Sequence, residues 1–461
     1  MSKKQGSKSS SQATMSLPVV NLHAAGIDVG SRFHVVAVGQ NKDNDVQQFG
    51  VTTPDLHDLC LHLQSRGISQ VVMESTGYYW IPLFWMLQSY GFEVMVVNPT
   101  DVKRYNRPKT DVLDACWLQQ LHALGLLKSS FQMDNFGEML RSYVRRRRNI
   151  LQDRTRQMNR MHKVLILMNV QIGTQLTDLG GASGMDIIRH IVGGERDPKK
   201  LFSHIRKGVK TPEKELLKAL EGTWQAQYLF ELSQLLQTYD LAGQQLKACD
   251  AEIELLLEHW CAENDITPPD PKEPPTPSER KAKDGKNLPP LRVAKMLRSI
   301  TGVDMLAIGG VNGGCFLDIV AETGRDLHQF PSGQHYASWL GLAPNNKISG
   351  GKILSSKTPK RVNRAAFAFK QAANAVGRCN NHELKPFFHA MLKRKGWNGA
   401  VTATARKLAV IYYNMTTKQE PFNYQNPEEQ KAKRRTAILK KIQKSIKELQ
   451  FTMDELNLTA A

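Results

Sequence analysis

The sequence predicts an α/β domain followed by a longer, mostly helical remainder, and three observations predict it. Short apolar runs alternate with helix-length amphipathic stretches through residues 21–130, the pattern of strands and helices sharing one sheet. From residue 131 to 262 apolar residues recur at helical spacing, and late in that region they recur every seven positions. A Pro- and charge-rich linker, 263–290, then precedes a second mostly helical stretch, 291–420.

The elements follow in chain order. Residues 1–20 open with MSKKQGSKSSSQATMS, a polar low-complexity tail that reads as disordered. Residues 23–40 read as two strands, HAAGIDVG and FHVVAVG, around a turn at Gly30-Ser31. A helix over 54–66, a buried strand over 69–74, a helix over 78–90 and a strand over 93–97 come next. A helix starting near Asp111 completes the unit. From about 134 to 168 the chain is helical and very basic, with Arg145, Arg146, Arg147 and Arg148 followed by Arg154, Arg156 and Arg160. A second long helix covers roughly 212–260. There Leu232, Tyr239, Leu246, Ile253 and Trp260 fall seven apart, interleaved with Leu235, Ala242, Cys249 and Leu256. Such a pattern fits a coiled coil or a long helical hairpin, and also one amphipathic helix on its own domain's core. Residues 421–461 form a basic tail, helical from Lys431 to Lys447.

Composition narrows the partners. Lys plus Arg number 62 against 43 Asp plus Glu, a net charge of +19, which favours a polyanion and above all nucleic acid. An anionic membrane surface is the rival. No apolar run reaches the roughly 18–20 residues of a membrane span, and no signal peptide is visible, so no membrane partner is expected. Six cysteines (Cys60, Cys116, Cys249, Cys261, Cys315, Cys379) contain no CxxC pair and read as reduced packing residues of a cytoplasmic protein.

Four carboxylates in the first quarter carry the strongest chemical signal. Asp28 lies in GIDVGS, where an apolar run meets a Gly-flanked turn, and Glu74 ends the run Val71-Val72-Met73. Asp111 and Asp114, three apart in KTDVLDACWLQQL, share one face of a helix. Hard divalent cations take oxygen ligands, and two of them clamp the attacking and leaving oxygens of a phosphoryl transfer. Each residue alone has a plainer role: Asp28 in a turn, Asp111 as a helix cap, Asp114 as a solvated helix position. GIDVGS also fits the phosphate loop of an actin- or sugar-kinase-like ATPase. That alternative needs a second Gly-rich phosphate loop and a nucleoside site, and neither stands near the four acids.

The second signal is GLAPNNKISGGKILSSKTPKRVNRAAFAF. Ser349 sits between Lys347 and Gly350-Gly351-Lys352, with Lys357, Lys360, Arg361 and Arg364 downstream. Glycines let backbone approach phosphate, cations stabilise charge on a transferring phosphoryl group, and an activated serine is a nucleophile. The residues alone favour the simpler account, a Ser-Gly-Gly turn with a solvated basic flank; Ser355 and Ser356 are weaker candidates. Upstream, SITGVDMLAIGGVNGGCFLDIVAETG resembles a helix-hairpin-helix contacting phosphate through backbone amides, and an ordinary helical hairpin reads equally well.

Together these stretches resemble one family, the bacterial insertion-sequence transposases with a DEDD-type N-terminal domain and a serine-bearing C-terminal domain (the "IS one-ten" group, the bridge-RNA-guided recombinases). The matching text is AAGIDVGSRFHVVAV, VVMESTGYYWIPLFWML, VNPTDVKRYNRPKTDVLDACWL and the block from ITGVD to RAAFAF. It covers about 23–125 and 290–415. The resemblance implies an RNase H-like, Holliday-junction-resolvase-like N-terminal domain, a coiled coil that mediates a homo-oligomer (dimer or tetramer), and a small serine domain. It places Asp28, Glu74, Asp111 and Asp114 in a tetrad for Mg²⁺ or Mn²⁺ and makes Ser349 the nucleophile. It further implies donor and target DNA and a structured guide (bridge) RNA whose base pairing chooses the sites. Arg145 to Arg148, Lys352, Lys357, Lys360, Arg361 and Arg364 would then contact phosphates. A nuclease using water, with Ser349 structural, and a non-catalytic nucleic-acid binder are the alternatives. The Pro-rich linker and the extended basic tail depart from the shorter members of the group.

Overall fold

The computed structural model describes residues 18–39, 45–99, 110–270, 274, 276, 278–279, 287–359, 363–379 and 382–423, with six further positions between 435 and 442. Residues 1–17, Lys360, Arg361, and most of the linker and basic tail lie outside the described residues. The chain forms two compact units, Met1–Gln132 and Met133–Ala461. Among the described residues no helix is long and apolar enough to cross a membrane.

The first unit is a mixed five-stranded sheet flanked by helices. β1 (Ala24–Val29) lies at its centre, antiparallel to β2 (His34–Val38) and parallel to β4 (Gln70–Glu74). β3 (Asp45–Phe49) adds to β2 and β5 (Glu93–Val97) to β4, giving the order β3-β2-β1-β4-β5. Side chains alternate between the two faces of the sheet. Ala25, Ile27, Val29, Val36, Val38, Val71, Met73 and Val96 pack beneath α1 (Thr53–Ser65) and α2 (Trp80–Ser89), against Leu59, Leu63, Leu83 and Leu87. On the other face, Val72 and Val97 meet Leu118, and Val35 and Ala37 meet Ala115, both from α3 (Asp111–Ala123). Burial on both faces explains why these strands read as continuous apolar runs. β3 was not apparent in the sequence: it is an edge strand, DVQQF, with its two glutamines exposed.

The second unit is helical apart from one hairpin. α4 (Asn135–Leu167) and α9 (Ala226–Glu263) lie antiparallel, with Phe136 beside Trp260, Arg147 beside Asp250, and Ile150 packed with Ala242, Leu246 and Cys249. The seven-residue stripe of α9 is therefore buried within its own chain, as a helical hairpin would have it. Leu232, Tyr239, Leu246, Ile253 and Trp260 are all buried, but the second row differs from expectation: Leu236 and Leu257 are buried where Leu235 and Leu256 are only partly so. Four short helices, α5 (Ile172–Gln175), α6 (Ala182–Val192), α7 (Pro198–Phe202) and α8 (Glu213–Ala219), close one end of this pair around Met168, Ile187, Ile191 and Leu220. The helix expected over 212–260 is thus two helices. The break falls at Gly222 and Trp224, where Trp224 takes a positive φ of 53°.

Downstream come α10 (Leu291–Thr301), a 3₁₀ turn (Met305–Ala307), α11 (Gly313–Thr323), α12 (Gly333–Trp339), the β6–β7 hairpin (Lys347–Ser349, Lys352–Ser355), α13 (Arg364–Arg378) and α14 (Lys385–Lys418). α14 breaks at Gly396, whose φ of 69° and ψ of −178° are not helical. Tyr336, Phe369 and Tyr412 are fully buried and meet ring to ring at 6.2–6.5 Å, which centres this core. Segments on either side of the linker belong to the same compact unit. Part of the linker is itself docked: Glu279 is buried, accepts from the Thr276 amide at 2.8 Å and faces Arg298 at 3.6 Å. Cys60, Cys249, Cys261 and Cys315 are buried free thiols, in keeping with packing roles, while Cys379 is exposed. Burial pushes the Cys60 and Cys315 thiols up to about 11.

Candidate functional site

Strand register brings two of the acids together. β1 and β4 pair with Gly26 opposite Val72 and Ile27 opposite Met73, so Asp28 and Glu74 stand next in line at the carboxyl ends of adjacent parallel strands. Ile27 and Met73 enter the core beneath α1 and α2, so alternation turns Asp28 and Glu74 to the face covered by α3.

α3 supplies the other two acids. Its backbone lies directly on Gly26: a Cβ there would stand 2.4 Å from the Ala115 carbonyl oxygen and 2.4 Å from the Gln119 amide nitrogen. Further toward its end, Gln119 Nε2 donates to the Ala24 carbonyl at 3.4 Å, and the Ala123 carbonyl accepts from Val20 and Asn21. The helix therefore runs antiparallel to β1. Two residues along a strand span about 6.6 Å, and four along a helix span about 6 Å. With Gly26 beneath Ala115, Asp28 comes level with the first turn of α3, where Asp111 and Asp114 lie. Thr110 caps that turn by accepting from the Leu113 amide at 3.3 Å, and acids there complement the helix dipole.

The first unit thus brings all four acids to one corner of the sheet. Asp28, Glu74 and Asp114 are half-buried and Asp111 is exposed. The corner is not closed: among the described residues, no three His, Cys, Asp or Glu side chains stand close enough to hold a metal ion. The turn that leaves Glu74 is pinned, because the Ser75 amide and hydroxyl both donate to the Val97 carbonyl, at 3.1 and 3.2 Å. After Gly77, at a positive φ of 56°, it presents Tyr78, 83% exposed, and Tyr79. Sequence reasoning passed over both tyrosines, though the Gly-Tyr-Tyr run begins three residues after an acid already singled out.

In the second unit, Ser349 ends β6 and is exposed. Gly350 and Gly351 form the two-residue turn, both at positive φ (53° and 75°), which is the hairpin geometry that glycine permits. Ser349 pairs across the hairpin with Lys352, so the hydroxyl and the ammonium group are cross-strand neighbours. Lys352 and Lys357 are exposed, and Arg364 is half-buried at the start of α13.

The four arginines of the basic run differ in their surroundings. Arg145 binds Glu322 through two bonds, at 2.9 and 2.8 Å, tying α4 to α11. Arg147 is buried, with Nε donating to Asp250 at 2.5 Å and Nη2 to the Asn287 carbonyl at 3.1 Å. Arg146 remains exposed, reaching Gln245 at 3.4 Å, and Arg148 lies with its guanidinium 4.9 Å from the Phe367 ring centre. Two of the four arginines are thus ion-paired between helices of the second unit, Arg147 buried and Arg145 exposed.

Comparison with known families agrees with the paired signals. A DEDD transposase model of the IS110 elements matches residues 25–169, and a model described as "Transposase IS116/IS110/IS902 family" matches residues 295–389. The chain belongs to the IS110 family of transposases. The first match contains Asp28, Glu74, Asp111 and Asp114, and the second contains Ser349 and its hairpin. The two matches support a DNA transposase or recombinase, with DNA as substrate. No curated protein matches the chain.

Proposed function

We propose that this transposase moves its insertion element by serine-dependent strand exchange, with a metal-binding carboxylate corner and a structured guide RNA. The observation that carries the reading is the corner itself, where Asp28, Glu74 and the first turn of α3 meet on one face of the sheet. The strand order β3-β2-β1-β4-β5, with β1, β2 and β3 forming an antiparallel meander and β4 and β5 running parallel to β1, supports an RNase H-like assignment for this unit.

The donor set fits Mg²⁺ or Mn²⁺. Asp28, Glu74, Asp111 and Asp114 offer only carboxylate oxygens, without thiol or imidazole, the ligand chemistry that hard divalent cations prefer. When bound there, such a cation supplies charge neutralisation at a transferring phosphoryl group. α3 orients Asp111 and Asp114, and its close seat on Gly26 fixes their level relative to Asp28.

Ser349 is the proposed nucleophile. Its Oγ loses a proton and forms a bond to phosphorus, while the bond from phosphorus to the deoxyribose oxygen breaks and that oxygen leaves as a hydroxyl. A free hydroxyl of the other strand then displaces Ser349, exchanging the strands without net hydrolysis. Lys352, its neighbour across the hairpin, is placed to hold charge on the phosphoryl oxygens. The net charge of +19 supports binding of DNA and a non-coding RNA; the homo-oligomer is proposed from the family resemblance, since the heptad stripe of α9 is buried within its own chain.

Asp28→Asn and Glu74→Gln test the corner. Each should slow cleavage of the element's DNA junction by about a hundredfold or more, the scale on which a preorganised charge-stabilising group acts, with thermal unfolding unchanged. Junction cleavage at the wild-type rate in both folded variants would remove the acids from the chemistry.

A further inference from the structure

The second unit contains a cleft of about 680 Å³ between α4, α11 and α13, with Asn287 and Leu288 at one edge. Nothing in the proposed strand exchange uses it. Along α4, Arg148, Gln152 and Arg156 line it at intervals of four residues, a single stripe on one helix face. The floor is apolar, from Leu151, Cys315 and Leu317. Opposite the stripe lie the Phe367 ring, 48% exposed, and the Gln371 amide, both on α13. Asp318 closes the wall from α11, half-buried, within the field of Arg148 and Arg147.

This combination is unusual for an ordinary packing gap. An exposed phenylalanine on the rim of a cationic cleft keeps its apolar face in water, and the guanidinium of Arg148 is already held over that ring, 4.9 Å from its centre. A cation, a part-exposed aromatic ring and side-chain amides lining one cleft are what a nucleotide engages, through its phosphate, its base plane and its base edge. The volume falls in the range of about 300–1,000 Å³ typical of small-ligand pockets, ample for one nucleotide.

We infer that this cleft accepts one unpaired nucleotide of a bound nucleic acid, stacked on Phe367 with its phosphate at Arg148 and Arg156. Gln152 and Gln371 contact the base edge, and Asp318 accepts from an amino group on the base, as carboxylates accept from cytosine N4. Burial raises the proton affinity of Asp318, and Arg148 and Arg147 offset that shift only in part. Arg156 also pairs with Asp153 one turn back, at 2.6 Å, on the exposed surface. An exposed pair of that kind is worth little and yields readily to a phosphate.

The test is equilibrium binding of the full-length protein to three labelled probes: a short single-stranded RNA, single-stranded DNA of the same sequence, and the fully paired duplex. Phe367→Ala and Arg148→Gln should each weaken binding of a single-stranded probe by about fivefold or more, the scale of losing one stacked base, with the duplex changed by less than about twofold. Phe367→Trp should retain affinity. A loss confined to RNA or to DNA assigns the occupant to that strand type. Gln371→Ala and Arg148→Gln carry the test if Phe367→Ala melts early. Single-stranded affinities within about twofold of wild type in the folded variants, or an equal loss on duplex, would overturn the assignment.

Discussion

Gly26→Ala should disable this transposase while leaving every proposed catalytic group in place. The added methyl would meet the Ala115 carbonyl oxygen and the Gln119 amide nitrogen, both at 2.4 Å, and the Gln119 Cα at 2.9 Å. All three are backbone atoms of α3, so no rotamer change relieves the clash. The helix must lift by about 1 Å, since overpacked sites relax through backbone shifts at a cost of about 1–3 kcal/mol. α3 carries Asp111 and Asp114 in its first turn, and a 1 Å misplacement of reacting groups can cost about a hundredfold in rate. The assay pairs a urea unfolding curve with junction-cleavage kinetics at saturating Mg²⁺. A modest fall in the unfolding midpoint should accompany a loss of cleavage far larger than that fall explains. Wild-type cleavage in folded Gly26→Ala would refute the claim that the seat of α3 sets the carboxylate corner.

Other variants probe separate parts of the account. Arg147→Ala leaves the half-buried Asp250 without its partner and strips a donor from the Asn287 carbonyl, so it should destabilise the protein by up to about 3–5 kcal/mol, the range for a fully buried pair; an unchanged urea midpoint would show that the pair is not structural. Burial holds His34 below its ordinary value, and the same cause leads at His62 and His122. The folded state then binds fewer protons than the unfolded one, so this stability is present above about pH 6.5 and lost as pH falls below it. The urea midpoint should drop on acidification, and less so in His34→Phe; equal drops in both proteins would exclude His34. Tyr78→Ala, at the exposed turn after Glu74, should weaken DNA binding by about fivefold or more if the ring stacks on a base, and Tyr78→Phe should not.

Much of the fold was legible because burial on both faces writes continuous apolar runs. The strands found at Ala24–Val29, His34–Val38, Gln70–Glu74 and Glu93–Val97 lie within one or two residues of where those runs placed them. β3 escaped because an edge strand needs little apolar content, and Asp45, Gln47 and Gln48 offered no alternation. The break before α9 escaped because Leu216, Leu220, Trp224, Tyr228 and Leu232 recur every four residues across it, while the left-handed backbone at Trp224 has no signature in sequence. The corner was legible in part. The spacing of Asp111 and Asp114 gave a shared helix turn, but their level relative to Asp28 depends on how α3 seats on Gly26, a contact between residues far apart in the chain. The arginine run was legible only in part, for the same reason. The partners of Arg147 and Arg145, Asp250 and Glu322, lie more than a hundred residues away, so the run gave no sign that two of its members also tie helices together.

The most direct measurement is a denaturing gel of the full-length protein incubated with Mg²⁺, labelled junction DNA and RNA transcribed from the element's flanking non-coding region. The account predicts a slow, protease-sensitive protein–DNA band with wild type, lost in Ser349→Ala and in Glu74→Gln. Cleavage without that band, or a band that survives in Ser349→Ala, would contradict it.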